Sequence, residues 1–296
     1  MFYRIKNEYL SLDIEEPGTS YRGSRFDWTG QIIQVTYLDR HTFCTTESLN
    51  KELVNKLGKG LYNEFGIDQP IGYNECKVGD KFTKIGVGLL TKENNEPYNF
   101  FKDYKIKPFS FCSSFEKNKA AFCCNSAEDQ QYSFQLKKRI ELTDNTFTIY
   151  YTLSNNGKQV IRTNEYIHNF LSINKKEINQ NYKLIFPFTL HPEKMKSIVN
   201  PNNIIEFGED FITWNSIPQD QFFIDTVNTD YKERGEWTLL NREDKICIRE
   251  TCDLNIQKIN LWGSTHVVSP EIFVQLKIEP GKSFSWKRTF KIFTLH

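Results

Sequence analysis

Residues Tyr132-Ser133-Phe134-Gln135-Leu136-Lys137-Lys138-Arg139-Ile140-Glu141-Leu142 alternate apolar and polar side chains, pass through Thr143-Asp144-Asn145, and resume as Thr146-Phe147-Thr148-Ile149-Tyr150-Tyr151-Thr152-Leu153. Alternation with period two sends successive side chains to opposite faces of a pleated strand, and Asp-Asn between the two runs is turn chemistry. The segment therefore reads as an antiparallel hairpin, closed by Asn155-Asn156-Gly157. The pattern recurs at Trp237-Thr238-Leu239-Leu240 and Lys245-Ile246-Cys247-Ile248-Arg249-Glu250, joined by Asn241-Arg242-Glu243-Asp244, and Ser283 to Phe293 alternates as well. Chains of hairpins build sandwiches or barrels. The expectation is one mainly all-β domain over residues 1–296.

Helical signals are sparse. Leu49, Leu53 and Leu57 lie four apart before Gly58, which predicts one short helix or helical loop between Thr46 and Gly58. Asn-, Lys- and Pro-rich stretches near Lys92 to Pro97, Asn174 to Asn181 and Asn200 to Asn203 are too short to link domains. No repeat of roughly 20 to 50 residues is visible, which argues against a propeller or solenoid.

Composition narrows the function classes. The 296 residues carry 38 basic and 37 acidic side chains, a formal charge of +1 that gives no broad pull toward nucleic acid or an anionic membrane. Aromatic residues make up 15% of the chain, suited to half-buried sheet surfaces and to clefts that stack on sugars. Charges interrupt the N-terminal stretch Met1 to Glu8, and no segment holds about 18 uncharged apolar residues, so the expectation is a soluble, cytoplasmic protein. Seven cysteines without a CxxC pair predict free, mostly buried thiols and no structural zinc. His41 and Cys44 lack a second ligand pair, and no metal is expected.

Nucleotide and nucleophile motifs are absent in substance. Gly18 to Ser24 lacks the phosphate-reaching lysine of a P-loop, and Gly86-Val87-Gly88 lacks the third glycine and following helix of a dinucleotide site, reading instead as close packing within a strand. No GxSxG occurs. No cofactor is implied. The run Thr163-Asn164-Glu165-Tyr166-Ile167-His168-Asn169-Phe170 does place a histidine in an aromatic, strand-like context, and Glu271 in Ser269-Pro270-Glu271-Ile272-Phe273 reads as a carboxylate opening a strand that runs to Pro280-Gly281. Residue types alone favour reading His168 as a hydrogen-bonded sheet histidine and Glu271 as a strand-end charge over an acid and base pair. Tyr21-Arg22-Gly23-Ser24-Arg25-Phe26-Asp27-Trp28 offers two guanidiniums, a carboxylate and an indole, either for a sugar or as an Arg to Asp ion pair on a sheet edge. Glu64 and Lys84 are cleft candidates or surface charges.

In this order the clusters resemble the galactose mutarotase-like superfamily, the aldose 1-epimerases and their relatives. The resemblance rests on Gly23-Ser24-Arg25, on Tyr166-Ile167-His168-Asn169-Phe170-Leu171, and on Glu271 ahead of Pro280-Gly281, and it spans Tyr21 to Phe293. It implies a β-supersandwich with a sugar cleft on its concave face and no metal requirement. It also implies Glu271 as general base, His168 as general acid, Arg25 as an orienting group, and Lys84 and Glu64 as further substrate contacts. Ring opening needs one group to take the anomeric hydroxyl proton and another to protonate the ring oxygen, which a glutamate and a histidine of near-normal pKa could share. The implied partner is a small-molecule sugar.

Two departures shape the alternatives. Well-known aldose epimerases carry a histidine in an early His-Gly loop, whereas Gly60 to Gly72 contains none, and Ile167 precedes His168 where the commoner motif has Asn. A non-catalytic carbohydrate-binding or regulatory protein is therefore the second reading. A third is a glycoside hydrolase or lyase that would pair Glu64 or Asp68 with Glu271.

Overall fold

The computed structural model describes residues 2–53, 56–126, 131–228 and 235–295. Two ten-stranded antiparallel sheets and one three-stranded sheet make up the architecture. The hairpin Phe134–Thr143 and Thr146–Asn155 forms as the alternation predicts, with Leu136 opposite Leu153 and Ile140 opposite Ile149. Its inward residues are buried and the intervening ones largely are not, because only one face of this sheet meets the core. Ser283–Thr294 pairs on the far side of the hairpin, followed by Ile246–Cys252 and Glu236–Asn241.

The facing sheet behaves differently. Its central strands Leu61–Phe65, Ile161–Asn169 and Val267–Ile278 are buried on nearly every residue, so both of their faces are covered. One face packs against the first sheet through Phe65, Ile167, Ile272, Val274 and their neighbours. The other carries a separate cluster of Tyr21, Phe26, Tyr62, Phe82 and Phe170. The small sheet of Lys81–Lys84, Gly88–Thr91 and Ile106–Pro108 contributes to that cluster through Phe82 and Leu90.

A line of buried charge crosses between the sheets. Arg288, with no exposed surface, donates to Glu165 at 2.8 Å and to Glu250 at 2.7 Å, and Lys138 meets Asp27 at 2.6 Å. Asn63 joins the two groups, accepting from Lys138 and Tyr151 at 2.8 Å and donating to Glu165. Such groups stay buried only when each is paired, since an isolated interior charge costs several kcal/mol.

The helical loop expected between Thr46 and Gly58 is present among the described residues as one 3₁₀ turn, Lys51–Leu53, with Leu49 69% exposed; Val54 and Asn55 lie outside the described residues. Other expectations are corrected. Gly86 sits at the turn between two strands of the small sheet with φ of 77°, where an added Cβ would fall 2.1 Å from Asp27 Oδ1. Its close approach is at a turn, while Gly88, at the start of the strand Gly88–Thr91, bears out the expected packing within a strand, since an added Cβ there would meet the Lys107 carbonyl. Cys112 and Cys123, partners in strand register, form a disulfide, so the thiols are not all free; Cys44, Cys124 and Cys247 are buried free thiols, and Cys76 and Cys252 are partly exposed. The Arg to Asp pair weighed as the alternative near residue 25 does not form: Arg25 pairs with Glu64 and Asp27 with Lys138.

Candidate functional site

Strand parity builds the site. Antiparallel partners share a face, and the register sets Tyr166 opposite Glu64, His168 opposite Tyr62, Glu271 opposite Asn260, and Lys258 opposite Phe273. Odd-numbered neighbours Asn63, Glu165 and Asn169 turn the other way into the charge line. A cleft of about 460 Å³ opens over this face, with His168, Glu271, Asn260 and Tyr166 on its floor and Trp262, Phe273, Phe223, Phe100 and Phe101 among its walls. Arg25, Glu47, Asp68 and Lys258 also line it.

Pro270 explains why the floor is open there. Proline has no N–H for a sheet ladder, and the pairing of Ile161–Asn169 with Val267–Ile278 runs to Glu165 and Val274, then resumes only at the isolated Leu171 and Val268 bridge. Asn169 fills the gap with its side chain and backbone: its amide group donates to the Pro270 carbonyl at 2.6 Å and to Glu250, and its N–H donates to Ser269 Oγ at 3.0 Å. The charge line thus ends on the strand that carries the site.

His168 and Glu271 meet in this opening. Nε2 lies 3.3 Å from Glu271 Oε1, while Nδ1 lies 2.8 Å from Ser269 Oγ, which is 3.2 Å from the same carboxylate oxygen. The imidazole stacks on Phe170 with centroids 4.0 Å apart and meets Trp262 edge-on. Burial among these rings disfavours charge on both groups. It pushes the Glu271 carboxyl up to about 8, outweighing the opposing pull of Arg25 and the Ser269 hydroxyl, and holds His168 well below its usual value, with Arg25 adding to that depression. The expectation of near-normal pKa values is corrected: at neutral pH the free cleft holds a protonated Glu271 and an uncharged His168. In the tautomer whose Nδ1–H donates to Ser269 Oγ, Nε2 carries the lone pair.

Arg25 is held in place from several sides. Nε donates to Glu64 at 2.9 Å and Nη2 to the Tyr166 hydroxyl at 3.1 Å, Glu47 lies 3.5 Å from Nη1, and the guanidinium rests 4.5 Å from both the Phe26 and Phe100 rings. Glu64 has no exposed surface and also takes Lys84 at 3.0 Å and the Tyr166 hydroxyl at 2.6 Å. These cations and donors overcome its burial and lower its pKa, while burial lowers that of Lys84. Neither Glu64 nor Lys84 lines the cleft. The reading of both as substrate contacts is corrected: they form a support beneath Arg25. The same burial removes Glu64 from the two-carboxylate alternative, in which Asp68, held by Asn164 at 2.8 Å, is the remaining partner on the cleft wall.

Glu271 lies inside the strand Val267–Ile278 and does not open it. Ser269, Asn169, Tyr166, Trp262, Phe273, Asn260, Lys258 and Glu47 were not singled out from sequence. Two-residue spacing from His168 and Glu271 would have found Tyr166, Ser269 and Phe273, which share their pleat face; the others arrive from strands whose pairing the sequence does not state. No group of three or more metal-binding side chains occurs among the described residues.

Solved structures with this architecture include a galactose mutarotase-like protein of Lactobacillus casei, with TM-score 0.61 and 12% identity over 99% of this chain and 100% of that one. A galactose mutarotase-like protein of Clostridium acetobutylicum matches with TM-score 0.57 and 10% identity over 100% and 99%. The chain has the galactose mutarotase-like fold. A GalM/aldose epimerase homologue from C. elegans also matches, with TM-score 0.52 and 8% identity over 100% and 99%. No protein-family model matches the sequence, and no curated protein matches it. Among the described residues no helix is long and apolar enough to cross a membrane.

Proposed function

We propose that this chain is an aldose 1-epimerase-like isomerase that interconverts the anomers of a sugar. The observation that carries the reading is the pair His168 Nε2 and Glu271 Oε1, 3.3 Å apart on the floor of an aromatic-walled cleft, with protonation states that make one an acid and the other a base. Glu271, protonated, supplies the proton to the ring oxygen; His168, neutral, accepts the anomeric hydroxyl proton through Nε2. The ring C1–O bond breaks as C1–O1 becomes a carbonyl, the C1–C2 bond rotates, and closure from the other face returns each proton by the reverse route. This division of labour is the opposite of the one the resemblance implies, because burial has moved the two pKa values past each other. Arg25, held by Glu64, Glu47 and Tyr166, presents its remaining edge to sugar oxygens, and Trp262 offers apolar ring surface to the C–H side of the ring. Titratable groups pushed apart by their surroundings are the usual mark of an acid and base pair.

The test is anomer exchange measured by NMR over free hexoses and pentoses, with the wild type, Glu271→Gln and His168→Asn. Both variants are expected to lose about 10²- to 10⁴-fold in exchange rate. Sugar binding without exchange by the wild type would instead establish the carbohydrate-binding reading, which the absence of an early histidine favours.

A further inference from the structure

We infer that Ser269 is a positioning residue for the proposed reaction: its single hydroxyl joins acid to base, donating to Glu271 and accepting from His168 Nδ1–H, and so keeps the imidazole lone pair on Nε2. This deepens the epimerase reading and rests on it for the roles of Glu271 and His168. Ser269 has no exposed surface and is not among the residues that line the cleft. It therefore acts from behind the pair, through His168 and Glu271, and not on the sugar itself.

The three side chains form a closed ring of contacts. His168 Nδ1 lies 2.8 Å from Ser269 Oγ, Oγ lies 3.2 Å from Glu271 Oε1, and Oε1 lies 3.3 Å from His168 Nε2. A hydroxyl has one proton to give and two lone pairs with which to accept. The Asn169 N–H takes one lone pair at 3.0 Å. With the proton given to Glu271, the other lone pair accepts from Nδ1–H, which leaves Nε2 bare. The reverse sense would give the Ser269 proton to Nδ1 and place a hydrogen on Nε2, and no base would then stand beside Glu271.

The first sense is the one that the chemistry strengthens. When Glu271 gives up its proton, the carboxylate keeps the Ser269 hydroxyl as a donor; when His168 takes one, the imidazolium keeps Oγ as an acceptor. One fixed dipole thus serves both charges that develop. It does so beside the rings of Phe170 and Trp262, where such a dipole counts for more than it would in water.

The gap in the sheet ladder is what sets this hydroxyl. Strand N–H groups ordinarily go to backbone carbonyls of a neighbouring strand. Pro270 has no N–H to offer, regular pairing of the two strands stops at Glu165 and Val274, and the Asn169 N–H goes to the Ser269 side chain. The Asn169 amide group, tied to the Pro270 carbonyl and to Glu250, anchors the junction to the buried charge line. Ser269 is therefore held from the core side, independently of any sugar.

The experiment reads the imidazole directly, by nitrogen NMR of protein labelled in histidine, with the His168 signals assigned by their loss in His168→Asn. The free wild type at neutral pH is expected to show the Nδ1–H tautomer. Ser269→Ala leaves Nδ1 without its partner and should move His168 to the Nε2–H tautomer. The same variant should lower kcat for anomer exchange by about 10- to 100-fold, the worth of hydrogen bonds to charged groups, with KM unchanged within about twofold. Ser269→Cys fills the same space with a weak donor and acceptor, should fall between the two, and carries the comparison if the alanine variant does not fold. An Nε2–H tautomer in the wild type would overturn the inference, as would a tautomer that neither variant moves, an unchanged kcat, or a loss that appears in KM alone. Should the wild type exchange no sugar, the epimerase reading fails and the spectra decide this one: an Nδ1–H imidazole that the variants shift upholds Ser269 as the group that sets His168, and any other spectrum ends it.

Discussion

Replacing Glu271 with glutamine should stabilise the protein above neutral pH while abolishing its proposed chemistry. The unfolded chain ionises this glutamate near its ordinary value of 4.5, whereas the folded protein holds the proton to about 8. Between those limits the native state binds one more proton than the unfolded state, so stability falls as pH rises, by about 1.4 kcal/mol per pH unit. Over roughly 3.5 units the loss is on the order of 5 kcal/mol, complete above pH 8 and absent below pH 4.5. Glutamine keeps an acceptor for Ser269 and never ionises. The difference between variant and wild type should therefore be small at pH 4.5, grow through neutrality in favour of Glu271→Gln, and level off above pH 8. His168 works with the opposite slope below pH 6.5, since burial keeps it neutral, but it is common to both proteins and cancels in the difference. Urea unfolding followed by circular dichroism from pH 4.5 to 8.5 measures it. A variant that becomes less stable than wild type as pH rises would refute the reasoning, because it would mean that Glu271 is ionised and paired with a protonated His168.

Other perturbations test the support around the site. Arg288→Met strands Glu165 and Glu250 in the core and should cost about 3–5 kcal/mol in chemical unfolding. Lys84→Met removes one cation from buried Glu64 while Arg25 and the Tyr166 hydroxyl remain; sugar affinity measured by calorimetry should fall through loosening of Arg25, and unchanged affinity would show that the two are uncoupled. Arg25→Ala should weaken sugar binding more than tenfold, as hydrogen bonds to charged groups are worth about 1.5–3 kcal/mol. Gly86→Ala, which meets both a positive φ and the Asp27 carboxylate, should lower the melting temperature by several degrees.

Alternation in the sequence determined the strands, since a pleat of period two is written directly in residues such as Phe134 to Leu153 and Ser283 to Phe293. It also carried the pairing of His168 with Glu271 as an expectation, through a resemblance spread over most of the chain. Tertiary structure decided what those residues are. Residues 64, 166 and 271 reach one face only because three strands distant in sequence adopt a particular register, and register is a property of pairing between strands. Lys84 and Glu64 look like any surface charges in a string of letters, yet their burial together under Arg25 turns them into a support. The opposite pKa shifts of Glu271 and His168 have the same origin: a pKa is set by how many rings, cations and waters surround a group, and here Phe170, Trp262 and Arg25 are brought around them by the fold.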